Sequence, residues 1–277
     1  MANELFEDFR RCVEGPDDRI DLARAALEIA RDDYPNLKIE AYLSCLDQLA
    51  ASARRHFEND QEVHRKMAAL NYVLFQEQGF HGNQENYYDP KNSFLNEVID
   101  RKTGIPITLS VIYMEVAQRI GLPLLGVGFP GHFLVKYSSH DEEIVIDPFN
   151  SGEIKSHENL GQLLDRLYEE KVILRPEHLA TVTKKDIIRR MLNNLKMIYL
   201  RESNFAKALP VLERLVILDP GAVEEIRDRG AVYLKLECFN YALADFETYL
   251  RLAPDAPDAG AIKDEVISLT RRVRQIH

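Results

Sequence analysis

Cysteine is scarce in this chain and scattered. Cys12, Cys45 and Cys238 are the three in 277 residues, far apart and without a C-x-x-C pair. An odd, dispersed set supports neither a disulfide framework nor a zinc site, and buried reduced thiols are the expectation. Long apolar runs are missing too. None approaches the roughly 18 residues that read as a membrane helix, so no membrane span is expected. The first residues, MANELFEDFRRCVEG, lack the basic start and apolar centre of a signal peptide, which predicts a cytoplasmic protein. Positive charge is in deficit: 35 Lys and Arg against 45 Asp and Glu give a net charge of −10. Such a chain repels phosphate backbones, and no Lys/Arg run interleaved with aromatics offsets this, so nucleic acid is not an expected partner. The histidines include no H-x-x-x-H pair and no linked carboxylate motif, so no metal site is expected.

What is present is a globular composition, 45 % hydrophobic and 29 % charged, long enough for an ample core. The first 77 residues read as helices. Asp17 or Asp18 can cap a helix with Leu22, Ala26 and Ile29 on one face, stopping before Pro35. Ile39, Tyr42, Leu43, Leu46 and Leu49 follow amphipathic spacing, and Val63, Met67, Leu70 and Leu74 repeat it. Residues 77–90, EQGFHGNQENYYDP, read as a loop, long enough to be a rim or lid. Ser93 can cap a short helix through Ile99. Pro106 suits the first turn of the next helix, whose buried stripe is Leu109, Tyr113, Val116 and Ile120 and whose end is Gly121. Strands are expected near 122–128, 131–137 and 143–147. Helices followed by a small antiparallel sheet argue an α+β domain.

From about residue 186 the pattern changes. Tyr199, Ala208 and Pro220 recur as Tyr233, Ala242 and Pro254, a period of 34 that is the signature of tetratricopeptide repeats. Small Ala208 and Ala242 let paired helices approach, while Leu212 and Phe246 fill the space between neighbours. Residues 259–275 make a further amphipathic helix able to cap the stack. Two repeats plus a cap fall short of the roughly three an independent solenoid needs, so this unit is expected to dock on the first domain. Asn193, Met197 and Arg227 are expected on the inner helices, whose surface either binds a protein or peptide partner or, as the shortness of the array favours, packs within the molecule.

Two residues carry candidate chemistry. A helix leads into a strand, a second strand opens with His132, and a third ends at Asp147 before Pro148. An imidazole that takes a proton and a carboxylate that orients it are the supporting half of a nucleophilic site. Adjacent antiparallel strands can bring two such side chains together. The bland alternative is a hydrogen-bonded structural His and a turn-starting Asp-Pro. Residues 126–131 match G-x-G-x-x-G, but a strand follows where a dinucleotide site needs a helix, so no cofactor is expected.

The run FLNEVIDRKTGIPITLSVIYMEVAQRIGLPLLGVGFPGHFLVKY, with IDPF downstream, resembles the SirB1-type family, which joins a transglutaminase-like (papain-type) domain to C-terminal tetratricopeptide repeats. The resemblance spans roughly residues 35–277. It implies a transglutaminase-like domain at 1–182, helical to about residue 120 with strands over about 122–147, then an all-α unit of two repeats and a capping helix at 183–277. It also implies that His132 and Asp147 hold the superfamily's His and Asp positions, while its Cys falls on Pro106, which offers no nucleophile. Ser110 returns to the same helix face about 6 Å along the axis, whereas Thr108 is turned away by about 200°. Cys45 could reach the site only through the tertiary fold. The leading expectation is a non-catalytic interaction or regulatory protein, a pseudoenzyme. The alternative is a hydrolase or acyltransferase on peptide-like amides, using His132 and Asp147 with Ser110 or water as nucleophile. A third is a scaffold whose cleft is filled by its own side chains.

Overall fold

Every residue from Pro106 to Ala117 is buried, so the helix Pro106–Arg119 is wrapped on all sides rather than along one stripe. Apart from Thr108, Ser110 and Glu115 these residues are apolar, and a helix apolar all round belongs in a core. The structure, a computed structural model, describes residues 6–57 and 62–276. Two compact units form: residues 12–191, and residues 192–276 with residues 6–11. The units divide inside the helix Lys184–Arg201, a little beyond the break at 182/183 that the repeat pattern suggests.

In the first unit the helices Leu22–Glu28, Ile39–Phe57, Val63–Asn71 and Leu95–Arg101 pack around the central helix. Their caps differ from the expected ones. Asp21 caps Leu22–Glu28, accepting from the Arg24 N–H at 3.0 Å. Asp17 sits in a 3-10 turn and instead accepts from the N–H groups of Lys184 and Lys185, at 3.0 and 3.1 Å, capping a helix far along the chain. Phe94, not Ser93, precedes Leu95–Arg101, because Ser93 ends a separate turn, Pro90–Asn92, capped by Asp89. The loop expected at 77–90 contains a short strand, β1 (His81–Gly82), paired in parallel with β2 (Thr103–Gly104). A two-residue strand has no periodicity to read.

The main sheet is antiparallel in the order β3 (Leu125–Val127), β4 (Leu134–Ser138), β5 (Glu143–Asp147) and β6 (Glu153–Ile154). Its first two strands are shorter than expected. His132 therefore does not open a strand; its N–H donates to the Phe129 carbonyl at 3.0 Å in the turn before β4. One sheet face, with Val127, Leu134 and Val145, packs against Leu160 and Leu164 of the helix His157–Tyr168. The other carries Val135, Ile144 and Ile146, also buried, and β4 rests on the central helix. Burial on both faces fixes the register, since a slip of one residue would exchange them.

The second unit stacks the helices Phe205–Leu218, Val223–Lys235, Phe239–Leu252 and Ala259–Ile276, each against the next. Ala208 and Ala242 are fully buried, as the repeat pattern requires. A Cβ at Gly230 would lie 2.8 Å from Phe246 Cε1, so this helix pair closes only over glycine. Where the first repeat has Leu195, the second has Arg229. It donates to Asp245 from Nε and Nη2 at 2.8 and 2.7 Å, and to Glu213 from Nη1 at 2.8 Å. The rings of Phe6 and Phe9 lie 4.8 and 5.6 Å from the guanidinium of buried Arg214, which explains why the chain's first residues join this unit.

Candidate functional site

Asp147 is fixed by the sequence that follows it. Pro148 starts a 3-10 turn, and the Asp147 carboxylate caps it, accepting from the Asn150 N–H at 3.3 Å and from Asn150 Nδ2 at 2.7 Å. The Gly152 N–H returns to the Asp147 carbonyl at 2.9 Å. Gly152 has φ +74°, and a Cβ there would lie 2.1 Å from Asn71 Oδ1, so glycine is required on both counts. Asn71 donates to the Gly152 carbonyl at 3.1 Å and accepts from the Tyr113 hydroxyl at 2.8 Å, which pins the turn to the central helix.

His132 Nε2 lies 2.9 Å from Asp147 Oδ1, and Lys155 Nζ 3.5 Å from Oδ2. Burial pushes the Asp147 pKa up, but His132, Asn150 and Lys155 together outweigh it and hold the carboxyl below its usual range. An ionised carboxylate only accepts, so Nε2 carries the proton and Nδ1 keeps the lone pair of the neutral ring. Phe149 sets its ring edge-on to the imidazole, 5.8 Å between centroids at 82°. Behind Phe149 stands Gly82, where a Cβ would lie 2.5 Å from the ring. Gly82 pairs with Gly104, two residues before Pro106. Strand, turn and helix start thus meet at one corner.

The helix start is tied to the neighbouring loop. Thr108 Oγ1 accepts from the Ile105 N–H at 3.1 Å and donates to the Asn92 carbonyl at 2.8 Å. Buried Asn92 in turn donates to the carbonyls of Asn86 and Tyr87, at 2.8 and 3.2 Å, and accepts from Asn83 at 3.1 Å. These are the bonds of a fixed rim.

Of the residues proposed from sequence, His132 and Asp147 come together and the others do not join them. Pro106 takes the first helical position. Ser110 is fully buried and its hydroxyl has no partner, so it neither back-bonds along the helix nor meets His132. Cys45 lines open cavities of about 520 and 660 Å³ with Asp100, Lys102 and Tyr42, whose linings include neither His132 nor Asp147. In the second unit Met197 is 60 % exposed. Arg227 is held by Asp258 at 3.0 Å and Asp228 at 3.1 Å, and the half-buried Asn193 has an unpartnered Oδ1. Three residues at the corner were missed. Asn150 was legible, as an Asp-Pro-x-Asn turn; Lys155 and Arg190 carry no local signal. Arg190 donates from Nη2 to the His132 carbonyl at 2.7 Å across 58 residues of sequence.

Chemically, the corner pairs an imidazole with a carboxylate, and the hydroxyls of the helix start, Thr108 and Ser110, are both buried. Among the described residues no three His, Cys, Asp or Glu side chains gather to hold a metal, and no helix is long and apolar enough to cross a membrane. His277 lies outside the described residues.

Residues 40–193 match the family described as Transglutaminase-like superfamily, and residues 195–266 the one described as Tetratricopeptide repeat. A UPF0162 protein of Xylella fastidiosa is 36 % identical over 94 % of this chain and 94 % of its own. One of Vibrio cholerae is 31 % identical over 98 % and 97 %. Protein SirB1 of Salmonella typhimurium is 29 % identical over 91 % and 93 %. A solved structure of menin covers 90 % of this chain and 69 % of its own at a TM-score of 0.35 and 10 % identity.

Proposed function

The chain belongs to the transglutaminase-like superfamily, in the group of SirB1 and UPF0162 proteins that carry tetratricopeptide repeats, and on that premise we propose that it is a non-catalytic protein-interaction or regulatory protein. In this reading it is a pseudoenzyme whose His132 corner binds a peptide without cleaving it. The observation that carries the reading is Pro106. It occupies the first position of the central helix, where the superfamily's nucleophile is expected, and the nearest hydroxyl on that face, Ser110, is sealed from solvent. The repeat unit supports an interaction role, since stacked helical repeats expose long continuous surfaces.

One observation favours a second reading. The His132–Asp147 pair keeps working geometry, with Nδ1 turned from the carboxylate and therefore available to activate water against a peptide-like amide. Turnover of pooled fluorogenic peptide amides by wild type and by His132→Ala separates the two. Equal, background release from both is the expected result. Release that depends on His132 would overturn the non-catalytic reading.

A further inference from the structure

The His132 corner holds an arginine with no acid beside it. Arg190, on the helix Lys184–Arg201, donates from Nη2 to the His132 carbonyl and lays its guanidinium 5.3 Å from the Phe133 ring. Among the described residues no carboxylate lies within ion-pair distance of it. Two other half-buried arginines are each matched by acids: Arg119 with Glu115 and Asp47, Arg229 with Asp245 and Glu213. The protein carries a net charge of −10, yet this half-buried guanidinium has no acid beside it. It is costly to leave without a counter-charge.

The unused donors of Arg190 are available. A guanidinium carries five N–H groups in a planar fork, and the His132 carbonyl takes one. None of its nitrogens is both sealed from solvent and unpartnered, so the free ones open outward. Tyr87 has its backbone carbonyl held by Asn92 on the rim; burial raises the pKa of its phenol, and the charge of Arg190 works against that rise. The guanidinium is thus anchored to the His132 backbone and against Phe133 with donors to spare.

We propose that Arg190 is the anion-binding centre of the His132 corner and takes the carboxylate of a peptide ligand. The proposal rests on the reading of the corner as a peptide-binding site. A carboxylate suits it better than a phosphate. One guanidinium fork matches one carboxylate, while a dianion would meet a single cation with ionised Asp147 nearby.

The test uses the full chain and three capped peptides: N-acetyl-trialanine acid, its C-terminal amide, and N-acetyl-Ala-Glu-Ala amide. Binding is followed by the ring signals of His132 in NMR spectra. At least one acidic peptide should bind about tenfold or more tightly than the neutral amide, a difference that added salt should shrink. The better acid tells whether a terminal or a side-chain carboxylate is the target. Arg190→Gln should erase the preference, and Arg190→Lys should keep part of it, because the charge remains and the fork is lost. Equal binding of all three peptides, or a preference that survives Arg190→Gln, would overturn the proposal and leave peptide binding standing. Binding of none would overturn both. Should Arg190→Gln not fold, the wild-type comparison of acid with amide and the Arg190→Lys variant still decide.

Discussion

Arg229 and Arg190 are both largely withdrawn from water, and the chain treats them in opposite ways. In the repeat unit Arg229 is gripped by two carboxylates and the pair of helices closes around it. At the His132 corner Arg190 has a backbone carbonyl, an aromatic face and no acid. Tyr233 also gives its hydroxyl to Glu213, so the repeat interior leaves this network matched, whereas the corner leaves an imidazole nitrogen and guanidinium donors uncommitted. Matched charges make a closed interior that holds helices in one register; unmatched ones make a place that waits for something else. The largest effect should follow from unmatching the first. Arg229→Gln strands Asp245 and Glu213 inside the unit, and its expected cost is about 3–5 kcal/mol in urea unfolding of the full chain. A cost under about 1 kcal/mol would mean that the two arginines do not differ in kind.

Asp147, unlike Arg190, is a matched charge at the corner. Asp147→Asn keeps the shape but removes the negative charge that pairs with Lys155 and accepts from His132, with an expected cost of about 1–3 kcal/mol. The effect should depend on pH in a definite sense. The folded pKa of Asp147 lies below the unfolded value of about 3.9. Its contribution is therefore fully present above that value and is lost as pH falls through the folded pKa. Unfolding curves from pH 6 downward should show wild type and Asp147→Asn converging only in strong acid, below about pH 4. Convergence at neutral pH would remove the carboxylate from the account of the corner.

How much of this was legible follows the distance over which each signal acts. Pro106 and Gly121 bound the central helix by local stereochemistry, and the repeats announce themselves by a fixed period. The His132–Asp147 contact was legible as an expectation because two adjacent strands could carry it. The helix's burial on all sides was not, since its stripe alone looks amphipathic. Nor was the turn that holds His132, because a strand and the turn before it share the same apolar residues. The partners of Arg190 and Asp17 were hidden, lying 58 and 167 residues away. The Asp17 contact gives the third prediction. Asp17→Ala exposes the N–H groups of Lys184 and Lys185 and should cost about 0.5–2 kcal/mol, as loss of a helix cap does. Asp18→Ala, at a site with no such bond, should be silent in the same melt and so calibrates it.

The smallest expected effect tests the comparison most directly. Arg190→Gln removes a cation that no carboxylate balances. What is lost is a hydrogen bond to the His132 carbonyl and contact with Phe133. What is gained is relief from holding an uncompensated charge partly out of water. The glutamine amide keeps donors of its own for the same carbonyl. These terms oppose each other, and the net change in stability should fall within about 0.5 kcal/mol, as at positions without a structural task. Arg190 would then be retained for what it can bind. A loss above about 2 kcal/mol would instead place it with Arg229, as a strut that positions the His132 backbone, because only a buried bond with no substitute costs that much.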